Sequence, residues 1–350
     1  MAGYQLLLLM LCALGLVLES RAECTLTRAM VEGTNRLFTY RNAAGQYDLK
    51  RTLRVREGEV LHMICQPNDI IQTTCQRNGR FSRSLPMHCT NPMFPGATVV
   101  TDNTCGQTMY SIGYTINNHR MELYRACYDR TNVRAHFTVH SVYAKSFYPR
   151  RPCTQFTRDG VLTEADANSF LTRNIFRTFR RLFGNRQTYI PNDRTVVINR
   201  GHLAPSADFL FGDQMCATFK YVNVVPQFKA INDGNWETIE RWVRNQITGE
   251  ARLNIKTGTV GTLSLNQTPT RRRQVILGTA TKNPVPEWMY KRVRTATNQP
   301  LAIFVTYNNI YATRRPPAPS ICNSVPCPVT LVDTARAGYT YCCNTTTFPL

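Results

Sequence analysis

The chain has 350 residues, with 42 Lys+Arg against 22 Asp+Glu and so a formal net charge of +20. That balance excludes an acidic solvating tail, or an ordinary near-neutral cytosolic enzyme, as the default and points to a polyanionic partner such as nucleic acid, glycosaminoglycan or an anionic membrane. At 43% hydrophobic and 10% aromatic the chain buries a full core without help, and its 13 cysteines, lacking any CxxC or HExxH metal spacing, are expected to form disulfides.

The first element is the apolar run Leu6 to Leu18, which ends in Glu19, Ser20, Arg21 and Ala22. It is too short to anchor in a bilayer, and the small residues Ser20 and Ala22 suit cleavage, so residues 1–22 read as a signal peptide. Cleavage removes Cys12 and leaves twelve cysteines, an even number suited to full pairing in an oxidising compartment. It also removes one acid and one base, Glu19 and Arg21, so the charge stays at +20. No second apolar stretch reaches about 18 residues, and the expectation is a secreted, extracellular protein with no membrane span. Asn266-Gln267-Thr268 and Asn344-Thr345-Thr346 permit glycosylation.

Residues 23–90 are strand-like and turn-rich, with Cys24, Cys65, Cys75 and Cys89 and an apolar run from Gly58 to Cys65. The later half, Cys75-Gln76-Arg77-Asn78-Gly79-Arg80-Phe81 with Pro86 before Cys89, resembles a sushi (complement control) repeat, with Phe81 where such modules usually carry Trp. Four cysteines allow three pairings; the resemblance implies Cys24 with Cys75 and Cys65 with Cys89. Asn91-Pro92-Met93-Phe94-Pro95-Gly96 has linker composition, which gives a linker over residues 91–98 and one larger domain over residues 99–350.

In that domain Thr108–Tyr114, Glu122–Asp129 and Ala135–Tyr143 are expected strands. A helix is expected from about Glu164 to Phe183, since Phe170, Leu171, Ile175, Phe176, Phe179, Leu182 and Phe183 recur at helical spacing. Thr163 is its expected cap, with Asp166 three residues on. Arg173, Arg177, Arg180 and Arg181 lie around the rest of the turn, as a solvated face or a track for phosphates. Thr195–Asn199, Val275–Thr279 and Leu301–Tyr307 complete the expected strands, and the mixture with isolated helices implies an α+β domain.

The stretch Val196 to Pro205 carries the chemistry. An apolar strand runs into Gly201 and presents Arg200 and His202 two residues apart, hence on one face. About twenty residues on come Asn223-Val224-Val225-Pro226-Gln227 and then a helix opened by Asn232, with Trp236, Ile239 and Val243 as its buried stripe and Glu240 two turns in. An imidazole takes a proton near neutral pH better than any lysine or carboxylate in these motifs.

Together, Asn199-Arg200-Gly201-His202, the Asn-x-x-Pro-Gln segment and the Asn-x-x-x-Trp helix with its Glu resemble the DNA/RNA non-specific endonucleases of the ββα-metal type, which include Serratia nuclease and endonuclease G. The resemblance spans roughly Val99 to Asn309 and is nearest to the secreted arthropod branch. It implies an α+β, ββα-metal nuclease fold with a central, mainly antiparallel sheet flanked by helices, preceded by the small disulfide-rich β module. It implies a Mg²⁺-dependent endonuclease, with Mn²⁺ as a substitute, acting on DNA and in prospect RNA to leave 5′-phosphate products. The catalytic set it implies is His202 as general base, Arg200 on developing phosphate charge, Glu240 orienting metal-bound waters and Asn223 supporting the site. Asn232 becomes the one direct protein ligand of the metal, as suits a hard cation that keeps its waters. For substrate binding, Arg151, beside Arg150, and Arg177 are the further candidates. Asn199 stands where the family usually has Asp.

Eight cysteines remain, Cys105, Cys127, Cys153, Cys216, Cys322, Cys327, Cys342 and Cys343, and the adjacent Cys342 and Cys343 should bond to different partners. His62, His88, His119, His136 and His140 read as structural or surface residues, and Arg271-Arg272-Arg273 as a surface cluster. The competing class is a catalytically inactive basic protein that captures extracellular nucleic acid or heparin-like polyanions. Charge supports both, whereas a pure binder has no use for a neutral metal ligand near a histidine.

Overall fold

The computed structural model describes residues 22–85, 88–249 and 251–350. All of the expected signal peptide except Ala22, and Pro86 of the sushi-like segment, lie outside the described residues.

The N-terminal module is a four-stranded sheet in the order Tyr47–Leu49, Leu37–Arg41, Val60–Gln66, Asp69–Thr74. Cys24 bonds Cys75 and Cys65 bonds Cys89. A short helix, Arg28–Glu32, was not among the expected elements; Thr27 caps it by accepting from the Met30 amide. The module's core does not close on itself. Phe38, Leu61 and Met63 share a cluster with Leu210 and Phe211 of the larger domain, Phe38 stacks on Phe211 at 4.8 Å between ring centroids, and Gln214 Nε2 donates to the Lys50 carbonyl at 2.9 Å.

The larger domain begins with an antiparallel run of β1 (Gly96–Val100), β2 (Thr108–Ile116), β3 (His119–Asp129) and β4 (Arg134–Tyr143). Because β1 starts at Gly96, the last residues of the expected 91–98 linker belong to the sheet. Asn117 and Asn118, at φ 47° and 62°, make the tight β2–β3 turn, a conformation that Asn tolerates better than most residues. The single helix expected from Glu164 to Phe183 is two, α1 (Glu164–Asn168) and α2 (Thr172–Phe183). Thr163 and Asp166 form the capping box at the start of α1. The break follows from Ser169, whose hydroxyl bonds the Asp166 carbonyl at 2.5 Å, and from the extended Leu171.

Next come β5 (Ile198–His202), α3 (Gly212–Cys216) and β6 (Val224–Phe228), with β5 and β6 paired as a separate antiparallel ribbon. A helical run follows through a wide turn, Asn232–Trp236, into α4 (Glu237–Asn245). The chain then adds β7 (Arg252–Val260), β8 (Trp288–Thr295), β9 (Pro300–Tyr307), β10 (Ser324–Val325) and β11 (Thr340–Cys343). The expected strand at Val275–Thr279 is reduced to a lone bridge between Ile276 and Pro284, since the left-handed Asn283 and the proline cannot continue a ladder.

The result is an α+β domain on a nine-stranded antiparallel sheet ordered β10-β11-β9-β8-β7-β4-β3-β2-β1. On its inner face, Val142, Leu253, Ile255, Met289 and Val293 pack with Trp236, Ile239 and Val243 of the helical run and with Val224 and Val225 of β6. Part of the outer face lies under the C-terminal segment, where Trp288, Tyr290 and Ile303 meet Cys322, Cys343 and Phe348. Cys105–Cys127, Cys322–Cys343 and Cys327–Cys342 staple this region, so the adjacent Cys342 and Cys343 do bond to different partners.

Candidate active site

The β5–β6 ribbon sets the site. Its register pairs Ile198 with Phe228, Asn199 with Gln227, Gly201 with Val225 and His202 with Val224. A Cβ on Gly201 would lie 2.2 Å from Gln227 Oε1, so only glycine admits the Gln227 side chain across the strand. Ile198 and Phe228 anchor the open end of the ribbon against Ile175 and Phe179 of α2. Asn223 is fully buried and spends its amide on the backbone: Oδ1 accepts from the Ala204 amide, and Nδ2 donates to the Ala204 and Thr218 carbonyls, each at 2.9 Å. These bonds fix the backbone just past His202, in keeping with the supporting place expected of Asn223.

Arg200 and His202, on one face as alternation requires, both rest on Phe156. The Arg200 guanidinium stacks 4.4 Å from the Phe156 ring centroid, and the His202 ring lies 5.4 Å from Phe156 and 4.9 Å from Phe219. Arg151 comes in from the other side, its guanidinium 5.1 Å from the Phe219 centroid. Cys153–Cys216, closing a span of 63 residues, and the Thr157–Phe219 and Tyr221–Thr157 backbone bonds hold that segment against the ribbon. Arg200 Nη1 donates to Tyr221 Oη at 3.4 Å. Two guanidinium groups and one imidazole therefore share an aromatic platform of Phe156, Phe219 and Tyr221. Sequence reasoning missed the platform; its one signal was the alternation Phe219-Lys220-Tyr221 running into Asn223.

Burial, followed by the charges of Arg151 and Arg200, holds the His202 imidazole down to about 3, while a hydrogen bond to the Arg200 backbone pulls the other way. His202 Nε2 is buried with no partner among the described residues. A depressed value means that the neutral, proton-accepting ring persists as pH falls through the ordinary 6.5. Histidine NMR should find His202 still neutral at about pH 5, a unit or more below the ordinary imidazole value, and Arg151→Gln should raise its pKa. A His202 signal titrating near the ordinary value would contradict this electrostatic picture.

Asn199 Oδ1 and both amide atoms of Gln227 are likewise buried without partners. Asn199 lies on the ribbon face opposite Arg200 and His202, so Asn where the family has Asp changes the packing against Gln227 before it touches the reacting face.

Asn232 opens the wide turn, half-buried, with Nδ2 donating to Asp233 Oδ1 at 3.0 Å and its carbonyl oxygen left for another ligand. Such π-type turns recur at functional sites. The turn is held by the C-terminal segment: buried Asn235 donates to the Val332 and Gly338 carbonyls at 2.8 and 2.7 Å and accepts from the Val332 amide at 2.9 Å. Gly234 permits the approach, since a Cβ there would stand 2.9 Å from the Ala337 carbonyl oxygen.

Glu240 sits over a buried charge network. Asp208 pairs with His140 Nε2 at 2.8 Å and with Arg244 Nη1 at 3.0 Å; Arg244 reaches Glu240 at 3.9 Å, and Lys291 Nζ bonds Thr257 Oγ1 at 2.8 Å. Burial pushes the Glu240 carboxyl up, and Lys291 and Arg244 pull it back. Burial also raises Asp208, but His140, Arg244 and Lys291 outweigh it and hold that carboxyl far below the usual range. His140 thus has an acidic partner, 68 residues away in sequence and invisible to spacing arguments.

Two expected phosphate contacts lie elsewhere. Arg150 is exposed and uses its backbone N–H on Glu32 Oε1 at 2.7 Å, because alternation along an extended segment sends only one of the adjacent arginines to the platform. Arg177 is exposed on α2, with Asn174 Oδ1 at 3.5 Å as its partner, since the helix buries Ile175, Thr178 and Phe179 instead. The Arg271–Arg273 cluster is exposed on a small hairpin.

Among the described residues no group of three or more His, Cys, Asp or Glu is placed to hold a metal. A neutral side-chain carbonyl oxygen at Asn232, whose amide nitrogen is turned to Asp233, fits a hard cation that keeps most of its waters.

Residues 105–348 match the DNA/RNA non-specific endonuclease family. The chain is similar to the "Salivary endonuclease" of Lutzomyia longipalpis, 26% identical over 260 residues, which cover 72% of this chain and 62% of that protein. It is similar also to "Salivary protein Tsal1" of Glossina morsitans morsitans, 23% identical over 67% of this chain and 61% of the relative. The chain thus spans under two thirds of the length of these relatives. A chain of the EndoG/EndoGI complex crystal structure is similar at 20% identity and TM-score 0.39, covering 57% of this chain and 76% of that one.

Proposed function

Since the chain belongs to the DNA/RNA non-specific endonuclease family, we propose that it is a secreted, Mg²⁺-dependent endonuclease that hydrolyses phosphodiester bonds of DNA, and of RNA, with little sequence preference. The observation that carries this reading is the convergence of Arg151, Arg200 and an unpartnered His202 Nε2 on one aromatic platform. A pure polyanion binder gains nothing from a buried imidazole kept neutral between two guanidinium groups.

In this reading Arg200 and Arg151 grip the phosphate oxygens, a task suited to planar fork donors. His202 Nε2 takes a proton from the attacking water as the water oxygen bonds to phosphorus, the bond from phosphorus to the 3′ oxygen breaks, and that oxygen takes a proton from solvent, leaving a 5′-phosphate and a 3′-hydroxyl. Asn223 keeps the strand end still, and the Asn235 clamp keeps Asn232 in place. Asn232 would hold Mg²⁺, or Mn²⁺ in its stead, with Glu240 oriented toward its waters, and the cation would supply Lewis-acid stabilisation of phosphate charge. The six disulfides support secretion, as do the salivary relatives. Among the described residues no helix is long and apolar enough to cross a membrane.

The test is to digest several unrelated duplexes and an RNA with Mg²⁺ present and to map the ends. The proposal predicts scattered cleavage with 5′-phosphates on the fragments. Intact polymers, or 3′-phosphate ends, would refute it and in the first case favour the binding protein.

A further inference from the structure

The outer face of the large sheet, away from the catalytic ribbon, carries a second basic feature. Here β7 and β8 present Arg252, Asn254, Lys256, Arg292 and Arg294 outward, with Lys256 directly opposite Arg292 and Asn254 opposite Arg294. They line an open groove of about 1290 Å³ whose other wall is the N-terminal module, including Tyr40, Asn42, Arg54 and Arg56.

Basic residues on a surface are ordinary; these four cations are placed at a cost. Like charges directly opposite on neighbouring strands repel. Elsewhere in the groove the fold neutralises its charges: Arg125 pairs with Asp102 at 3.0 Å and Glu122 at 2.9 Å, and Lys50 with Glu59 at 2.6 Å. Arg252, Lys256 and Arg294 have no such carboxylate partner among the described residues. Arg252 donates to Tyr143 Oη at 3.3 Å and Arg294 to the Asn298 carbonyl at 3.3 Å, Lys256 Nζ stacks 4.1 Å from the Phe137 centroid, and Arg292 donates to a main-chain oxygen of Leu350, the last residue of the sequence. Arg294 Nε is buried with no partner among the described residues. Burial and then the facing Arg292 hold the Lys256 ammonium below its ordinary value, with Asp102 pulling the other way; burial and then Arg294 do the same to Arg292, against Tyr290. A polyanion laid along the groove would offset the repulsion between these cations.

We propose that this groove is a second nucleic-acid site, which takes a single strand by its phosphates and holds a long substrate while the opposite face cuts it. The choice of partner rests on the nuclease reading. Within the groove it is favoured by half-buried Tyr40 and Tyr143, whose ring faces suit bases, and by the amides of Asn42, Asn254 and Asn298. Sulfated polysaccharide shares the phosphate-like charge and offers no flat base. Tethering a polymer at one site raises its effective concentration at the other without any new catalytic contact.

The experiment measures binding of a 40-nucleotide single strand to the His202→Ala protein in EDTA across a range of salt, with and without Lys256→Gln, Arg292→Gln and Arg294→Gln together. At about 0.7 per phosphate contact, the slope of log affinity against log salt should shrink by about 2, with affinity at moderate salt falling tenfold or more. A four-nucleotide strand, too short to need both sites, should bind the two proteins alike. If the triple variant misfolds, Arg294→Gln alone should reduce the slope by about 0.7. Unchanged slope and affinity for the long strand would overturn the proposal, as would a loss confined to heparin, which would assign the groove to sulfated polysaccharide. Failure of the nuclease reading shows separately, as wild-type protein that leaves DNA intact with Mg²⁺.

Discussion

Replacing His202 by Ala should lower turnover on DNA by about 10² to 10⁴, the size associated with loss of a positioned base, while affinity for the polymer stays near that of the wild type. On the proposed reading the two quantities separate, because the grip on phosphate is assigned to Arg151 and Arg200, which stack on Phe219 and Phe156. Removing the ring also leaves space between Phe156 and Phe219, so His202→Gln is the better control for packing. It should be as inactive as Ala and more stable. Rate and affinity measured together decide the matter: equal losses in both would mean that His202 only holds the platform in place.

Asn232→Ala should act on the metal. Changes to the outer partners of metal ligands commonly cost 10- to 100-fold, so loss of the residue proposed as the one direct protein ligand should cost about 100-fold or more at low millimolar Mg²⁺. Part of that loss should return at high Mg²⁺, because the substrate phosphate and waters still offer oxygens. Asn235→Ala would give a weaker form of the same response by loosening the turn from Val332 and Gly338. A Mg²⁺ titration of cleavage rate is the readout. An unchanged midpoint in Asn232→Ala would remove the residue from the metal site.

The β5–β6 ribbon was legible in the sequence because its signals are local. Gly201 between Arg200 and His202, and Asn232 four residues before Trp236, carry their geometry in their spacing, and strand parity alone puts Arg200 and His202 on one face. Arg151 carries no comparable local signal; the Cys153–Cys216 bond is what holds its segment beside Phe219. What was not legible depends on contacts far apart in sequence. The central strands β7 and β8 escaped notice because their outward positions are Arg, Lys and Asn and because one inward position of β8 is Lys291, buried beside Trp236 rather than apolar. Asp208 and Arg244 come to Glu240 from a loop and from one helical turn further on, and no local pattern announces that network. Arg150 and Arg177 were expected beside Arg151 from residue type and neighbourhood, and extended geometry and the buried stripe of α2 place both outward, away from the aromatic platform.

The central claim is metal-assisted phosphodiester hydrolysis by this site, and the most direct measurement is nicking of supercoiled DNA by the wild-type protein with Mg²⁺, after EDTA, and after excess Mg²⁺ is restored. The account predicts relaxed and then linear DNA with Mg²⁺, none with EDTA, and full recovery on re-addition. Nicking that persists undiminished in EDTA would contradict it.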